Sequence, residues 1–571
     1  MLFRRTVCAV AATLLIAAAT SGGAHALPST LRPVFQPGVS TYATGSATVA
    51  PLLSGPAEPI AEKFIVVLKP GVSTVDFFQH RERTAGAQAA ADVWLQHHSG
   101  ATARPASGLG HIYDMGTEFQ GYAGEFTPDV LAFIRAQPEV DYVEKDTVVS
   151  VQMLDQGAER VWHVPQDVPF RDAEAPHARA LPWHDPYAHH TEKGAPWGLA
   201  RISHRKSLTL GTFNQYVYEE AGGEGVTAYV IECVAAWCML TYTSTGINVD
   251  HEDFEGRASW GKTIPLNDVD EDGHGHGTHC AGTIGSATYG VAKKTHLVAV
   301  KVLGSGGSGS MSDVTAGILW ATADAKRRSQ EMLADPASAA AKKFRGFVAN
   351  MSLGGGRSPT LDRAVDGAVA SGMHFAVAAG NENQDACLVS PAAAKNPITV
   401  GASTIGDDRA YFSNTGECVD IFAPGLNVLS TWNAGGRSVN TISGTSMASP
   451  HIVGLLSYLL SIYGSDDFAL VKDAVPMRFG PHRPSSWAAD AQRAIESVQA
   501  ALPLVFQSLT HYPLRWLSLG VSPKAPLMPI ESALHPRDMK KAMRKFASPG
   551  LLGDVERDTV NLLAYNNATS V

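Results

Sequence analysis

Three short stretches carry side chains suited to acyl transfer. In GTSMASPH, residues 444–451, Ser446 follows Gly444-Thr445 and precedes the apolar run HIVGLLSYLL. A serine at a helix N-terminus has its oxygen beside unpaired backbone N–H groups and the positive end of the dipole. Such a hydroxyl can be a nucleophile whose attack creates an oxyanion. On its own the pattern fits a plain N-cap equally well. In DGHGHGTHCAGTIG, residues 272–285, glycines flank His276 and small residues follow it. Small neighbours let the backbone come close and leave the ring edge open, which suits a general base for a serine. The cluster His274, His276 and His279 has the residue type of a zinc site. Its i, i+2, i+5 spacing, with no carboxylate motif nearby, resembles no zincin. In AVAAGNENQDACLVSP, residues 376–391, an apolar run ends in Gly380-Asn381. A side-chain amide there can donate to an oxyanion, and losing such a donor costs about 10²–10³ in turnover. A turn asparagine is the alternative. SLGGG (352–356) and GSGGSGS (304–310) place glycines beside strands, where backbone edges can pair with an extended peptide. Flexible loops explain either run taken alone.

These residues need a rigid frame. From Ala195-Pro196-Trp197-Gly198 onward, short apolar runs (VTAYVI, HLVAVKVL, FVANMSL, MHFAVAAG, PITVGAS) alternate with helical stretches, one from Ser312 to about Lys326. That alternation predicts an α/β fold with a central parallel sheet. Residues 326–345 are charged and Ala-rich, as in an exposed helical extension. Upstream, KFIVVLKPG, FQGYAGEF and PDVLAFIRAQPEVDYVEKDTVVSV predict a small α/β unit over 62–150. Residues 27–61 and 151–194 have linker composition. Residues 465–533 fit neither unit and form an insertion of unknown role, with an amphipathic helix expected over 487–509.

The chain has 571 residues, 45% hydrophobic and 17% charged, which is globular rather than disordered composition. A net charge of −9 without a Lys/Arg run speaks against nucleic-acid binding. Arg4-Arg5, an apolar run and Ala24-His25-Ala26 predict a cleaved signal peptide over 1–26. No later stretch is expected to be long and apolar enough to cross a bilayer. Of six cysteines, Cys8 leaves with the signal, and Cys233 and Cys238 sit in a stretch that fits nothing around it. Cys280, Cys387 and Cys418 then allow one disulfide and one free thiol.

HGTHCAGT, ANMSLGGG, AAGNENQDAC and SGTSMASPH, in that order, resemble the subtilisin-like serine proteases of the proteinase K group, in particular the vacuolar protease B (cerevisin) branch. The similarity runs from residue 195 to 460 and resumes near PRDMKKAMRKFA. It implies a three-layer domain over 195–571 preceded by an inhibitory propeptide over 62–150. It implies Ser446 as nucleophile, His276 as base and Asn381 as oxyanion donor. Ser352, Leu353 and Gly354, with Ser308 and Gly309, become the two edges that hold the substrate strand. Cys387 and Cys418 become the disulfide, and Cys280 the free thiol. No cofactor is required; a structural calcium would take Asp420 as one ligand. The implied partners are polypeptide substrates and the propeptide, which acts as intramolecular inhibitor and chaperone. A monomer is expected, with no nucleic acid and no membrane once the signal is gone. The compartment is the secretory pathway, ending in the vacuole or outside the cell. Maturation cleavage is expected between residues 150 and 195.

One stretch departs from the family. Where relatives carry Y-V-I-D-T-G-I-N, this chain has Tyr229-Val230-Ile231, then thirteen residues ECVAAWCMLTYTS (232–244), then Thr245-Gly246-Ile247-Asn248. The family's Asp orients the histidine and stabilises its imidazolium. Asp250, His251 and Asp253 have places of their own in the following loop. The codons for 232–244 admit a splice donor at Glu232-Cys233-Val234, an acceptor at Ser244 and a branch point at Leu240-Thr241. Removal would leave one Asp codon in frame. Residues 232–244 are therefore expected to be a retained intron. Glu232, one methylene longer than Asp, is expected to misplace its carboxylate, which would leave the chain an inactive, peptide-binding pseudoprotease or an uncleaved precursor. Loss of the triad aspartate in subtilisin costs about 3 × 10⁴ in turnover.

Overall fold

Val-, Ile- and Ala-rich runs build the main sheet from β1 (Val226–Glu232), β2 (Ala258–Thr263), β3 (His296–Lys301), β4 (Gly346–Met351), β5 (His374–Ala378), β6 (Ile398–Ser403) and β7 (Ile421–Pro424). In this computed structural model, residues 49–55, 57–98, 108–149, 161–165, 189–232, 246–304, 309–463 and 534–568 are described. The order is β2-β3-β1-β4-β5-β6-β7, all parallel, extended past β7 by Leu562–Leu563 and then Ser548–Pro549. β1 is an interior strand, third from one edge, with Val230 level with Ala299 and Asn350 on its two neighbours.

The strands are apolar on both faces because both are covered by helices. Ala228 and Val230 of β1 enter the core shared with α1 (His276–Gly285), α4 (Thr445–Tyr463) and α5 (Pro536–Phe546). Tyr229 and Ile231 point into the opposite core, with α2 (Met311–Ala334) and α3 (Pro359–Ala370). The three-layer α/β arrangement is the one expected. At the carboxyl end of the sheet, β1 stops at Glu232, β4 runs into Ser352, and β5 runs into Gly380-Asn381. The N-termini of α1 and α4 arrive at the same end. Open α/β sheets bind ligands at such carboxyl ends.

The N-terminal unit is a mainly antiparallel sheet backed by helices Thr74–His98 and Pro128–Arg135. Its strands run in the order Leu52–Leu53, Val140–Val149, Pro59–Leu68, Gln120–Glu125, Gly108–Asp114. Alternation divides Pro59–Leu68 between two cores. Val66 and Leu68 pack under the unit's own helices, while Ile65 and Val67 join the core of α2 and α3.

Several boundaries differ from the sequence reading. Leu52–Leu53 and the start of Pro59–Leu68 fall in the expected linker 27–61, because each finds an open strand edge. Trp162–His163 and His189–Lys193 fall in the expected linker 151–194 and pair with Ser438–Ile442 and Gln215–Glu219. The helical extension expected over 326–345 is present, as the end of α2 to Ala334 and a short helix at Ala339–Lys343. Thr445–Ile462 is long and apolar enough to span a membrane, contrary to expectation; it is packed inside the protein and serves as the core helix. The signal peptide over 1–26, Cys233, Cys238, Ser308 and the 465–533 insertion with its 487–509 helix lie outside the described residues.

His80 is fully buried in the N-terminal unit, with Nε2 on the Tyr122 hydroxyl at 2.9 Å. Burial holds its pKa below the ordinary 6.5, with Glu139 opposing. A histidine whose folded pKa is depressed is favoured neutral, so its stability contribution is intact above the unfolded pKa and is lost as pH falls below it. Amide-exchange protection of Pro59–Leu68, corrected for intrinsic rates, is expected to fall between about pH 7 and pH 5. In His80→Leu that fall should disappear. Equal protection at both pH values in the unmodified chain would contradict the assignment.

Candidate active site

His276 opens α1, and its position depends on glycine. Gly275, the N-cap, has φ +112°, and a Cβ there would lie 2.4 Å from Trp432 Cε2. Only glycine meets both conditions. Gly277 lets the helix approach Gly246, whose carbonyl oxygen would be 2.1 Å from an added Cβ. Asp272 fixes the preceding turn by accepting from the N–H groups of His274, Gly275 and Thr278. Burial raises its pKa, and those hydrogen bonds oppose the shift.

The imidazole is completely buried, and Nδ1 lies 3.0 Å from Glu232 Oε2. The other oxygen, Oε1, accepts from Asn350 Nδ2 at 2.6 Å. Ser449 Oγ in turn donates to Asn350 Oδ1 at 2.9 Å. Burial raises the Glu232 pKa, and the bond to His276 is the largest opposing effect. The expected misplacement of this carboxylate is therefore wrong. The extra methylene is accommodated because Asn350, one strand over, takes the second oxygen. On the far side of the ring, His276 Nε2 has no hydrogen-bond partner among the described residues.

Ser446 is the second residue of α4. Pro450 sits four residues on and has no N–H, so the Ser446 carbonyl lacks its usual helical donor. Ser352 Oγ donates to that carbonyl at 2.7 Å, and Cys280 Sγ lies 3.4 Å from it. Cys280 Sγ is also 3.9 Å from His276 Nδ1, which makes the histidine and the serine neighbours. Ser446 Oγ itself donates to the Ser352 carbonyl at 3.3 Å and is not joined to the imidazole here. Catalytic hydrogen bonds of this kind often close only in the substrate complex. Asn381 Oδ1 accepts from Thr445 N at 2.8 Å and Thr445 Oγ1 at 2.9 Å. Fixing the oxygen turns Nδ2 to the other side, toward the Gly444 backbone.

The remaining sequence-predicted residues divide clearly. Leu353 is buried and Gly354 half-buried, directly after β4. Gly309 and Ser310 pair antiparallel with Val149 and Val148, so the last strand of the N-terminal unit occupies the predicted substrate edge. Two carboxylates of that same strand reach helix N-termini. Asp146 accepts from Ser312 N (3.1 Å) on α2, and Glu144 from Thr360 N (3.1 Å) on α3. Cys387 and Cys418 form the disulfide, and Cys280 is a buried free thiol whose pKa burial raises well above its usual value. Such a thiol is inert. His274 packs against Trp432, and His279 Nε2 lies 3.0 Å from the Val428 carbonyl. Burial lowers the pKa of each to about 3, and neither turns toward a shared metal centre. Asp420 is engaged by Lys540 and Arg544 rather than open to a calcium ion.

Sequence reasoning did not single out Asp272, Asn350 or the Ser352 hydroxyl. Asn350 appeared only within the ANMSLGGG motif, and the pairing of a buried amide with an acid on the adjacent strand, 118 residues away, leaves no local signal.

Comparison with known proteins gives the family. Residues 241–477 match the Subtilase family model, and residues 63–152 match Peptidase inhibitor I9. The chain is 43% identical over 536 residues to Subtilisin-like protease 8 of Trichophyton verrucosum, covering 91% of this chain and 85% of that protein. It is 43% identical over 526 residues to Alkaline protease 2 of Aspergillus fumigatus, covering 91% and 84%. It is 43% identical over 537 residues to Subtilisin-like serine protease Pen c 2 of Penicillium citrinum, covering 91% of each. The chain belongs to the subtilase family. It is a subtilisin-like serine endopeptidase with an I9 inhibitor unit ahead of the catalytic domain. The family match starts at residue 241, so β1 and Glu232 precede it.

Replacing Ser352 by Ala should leave the buried Ser446 carbonyl with only the weak Cys280 donor. A loss of about 1–3 kcal/mol is expected in chemical denaturation. An unchanged midpoint and slope would show that the hydroxyl does not satisfy that carbonyl.

Proposed function

We propose that this chain is a zymogen whose active site is Glu232, His276 and Ser446, with Asn381 as oxyanion donor. The observation that carries the proposal is the buried imidazole, fixed at Nδ1 by a carboxylate and open at Nε2, beside a serine at a helix N-terminus. Ser446 Oγ attacks the peptide carbonyl while His276 Nε2 takes its proton. The proton then passes to the leaving amine. Glu232 holds the ring in the Nδ1–H tautomer and faces the imidazolium charge. Asn381 Nδ2 and the Ser446 N–H hold the oxyanion, and water deacylates the enzyme.

The substrate strand lies between Ser352–Leu353–Gly354 and Ser308–Gly309 as an added β-strand. Occupation of Gly309 by Val149 supports an inhibitory role for the N-terminal unit. Cleavage between 150 and 195 would release it. The signal peptide sends the chain along the secretory pathway, to the vacuole or the outside, where it acts as a monomer on polypeptides.

We also propose that residues 232–244 translate an unspliced segment, and that a shorter form carries Asp directly after Ile231. The start of the family match inside this stretch supports that reading. Both forms place a carboxylate at the end of β1. Sequencing the mature messenger from Val230 to Asn248 is expected to show the shorter form. A messenger holding only the long form would refute the splicing proposal and leave Glu232 as the sole acid.

Asn381→Ala should lower kcat on a peptide substrate by about 10²–10³ with little change in KM. Ser446→Ala should abolish both turnover and maturation cleavage. Full activity in either variant would remove these residues from the chemistry.

A further inference from the structure

The family implies a calcium ion at Asp420, and the residues around it do not fit one. The ε-ammonium of Lys540, on α5, lies 2.6 Å from Asp420 Oδ2. It also donates to the carbonyls of Pro397 at 2.6 Å and Lys395 at 3.2 Å. An ammonium has three N–H donors, and all three have an oxygen acceptor here. A carboxylate and two converging carbonyls are the hard-oxygen donors that a calcium ion would take. One helical turn on, Arg544 Nη1 lies 3.5 Å from Asp420 Oδ1. Thr399 N donates to Asp420 Oδ2 at 3.0 Å, so the protein's own groups serve both carboxylate oxygens.

We propose that Lys540 is a built-in cation occupying the position a divalent ion would hold, and that Asp420 is not a calcium site in this protein. α5 is shaped for this. Met539, Ala542, Met543 and Phe546 are buried in the core, while Lys540 and Arg544, at i and i+4, share the adjacent face. The charge therefore arrives on a helix anchored by its own apolar side. It ties α5 to the loop before β6 and to the entry of β7. A divalent cation could enter only by expelling the ammonium. Bringing a calcium ion next to the ammonium that already neutralises its ligand would be electrostatically unfavourable.

The test uses the full chain carrying Ser446→Ala, so that self-cleavage does not blur the melts. In chelator, adding Lys540→Met should lower Tm by about 3 °C or more. Millimolar calcium should recover much of that loss, and the recovery should vanish when Asp420→Asn is added. Lys540→Arg, which keeps a cation, should melt closer to the parent than Lys540→Met does. In the parent, any calcium response should be equal with Asp420 or Asn at position 420. The proposal is overturned if calcium raises the parent's Tm and Asp420→Asn removes that rise, because the ion then displaces the lysine. It is also overturned if Lys540→Met melts like the parent in chelator, or if its loss is not recovered by calcium.

Discussion

The site depends on one buried hydrogen bond between a carboxylate and an imidazole. Glu232 and His276 are both without solvent exposure and face each other at 3.0 Å. Leaving a buried polar group without its hydrogen-bond partner costs about 1–3 kcal/mol, and more for a charged one. The surroundings are arranged to make the pair tolerable. Asn350 donates to the second carboxylate oxygen, and Ser449 fixes Asn350. β1 lies between β3 and β4, so the acid ends a strand held on both sides. Gly275 and Gly277 bring α1 close enough for the ring to reach it. Each of these features is costly or neutral alone, and together they fix one tautomer and one orientation.

The N-terminal unit pairs with the edge proposed above for the substrate strand. Its final strand pairs with Gly309–Ser310, and Asp146 and Glu144 on that strand accept from the first turns of α2 and α3. Carboxylates at helix N-termini gain from the dipole as well as from the hydrogen bonds. Ile65 and Val67 share a core with α2 and α3, so the unit is packed against the catalytic domain as well as hydrogen-bonded to it. One surface of the unit then carries both the strand pairing and the apolar packing.

Much of this was legible in the sequence where the signal is local. The glycine-rich run around His276, the small residues around Ser446 and the strand-ending Gly380-Asn381 each carry their backbone requirement in the residue types. The Cys387–Cys418 bridge followed from the resemblance. What the sequence could not display was pairing at a distance. Glu232 looked misplaced because only its neighbours in the chain were visible, and Asn350 is 118 residues away. Asp420 reads as a metal ligand in its local sequence, whereas Lys540 and Arg544, more than a hundred residues on, lie against its two oxygens. Leu52–Leu53 and Trp162–His163 have linker composition because two-residue strands have no periodicity to detect and depend on an edge supplied elsewhere.

The most direct test of the central claim is kcat/KM of the purified chain carrying Glu232, compared with Glu232→Gln, on one peptide substrate. If Glu232 orients His276, the unmodified chain cleaves the peptide and the amide variant loses about 10⁴ in kcat, since an amide favours the wrong imidazole tautomer. If the two chains have equal rates, or if the unmodified chain is folded and has no activity, Glu232 does not serve as the acid of this site.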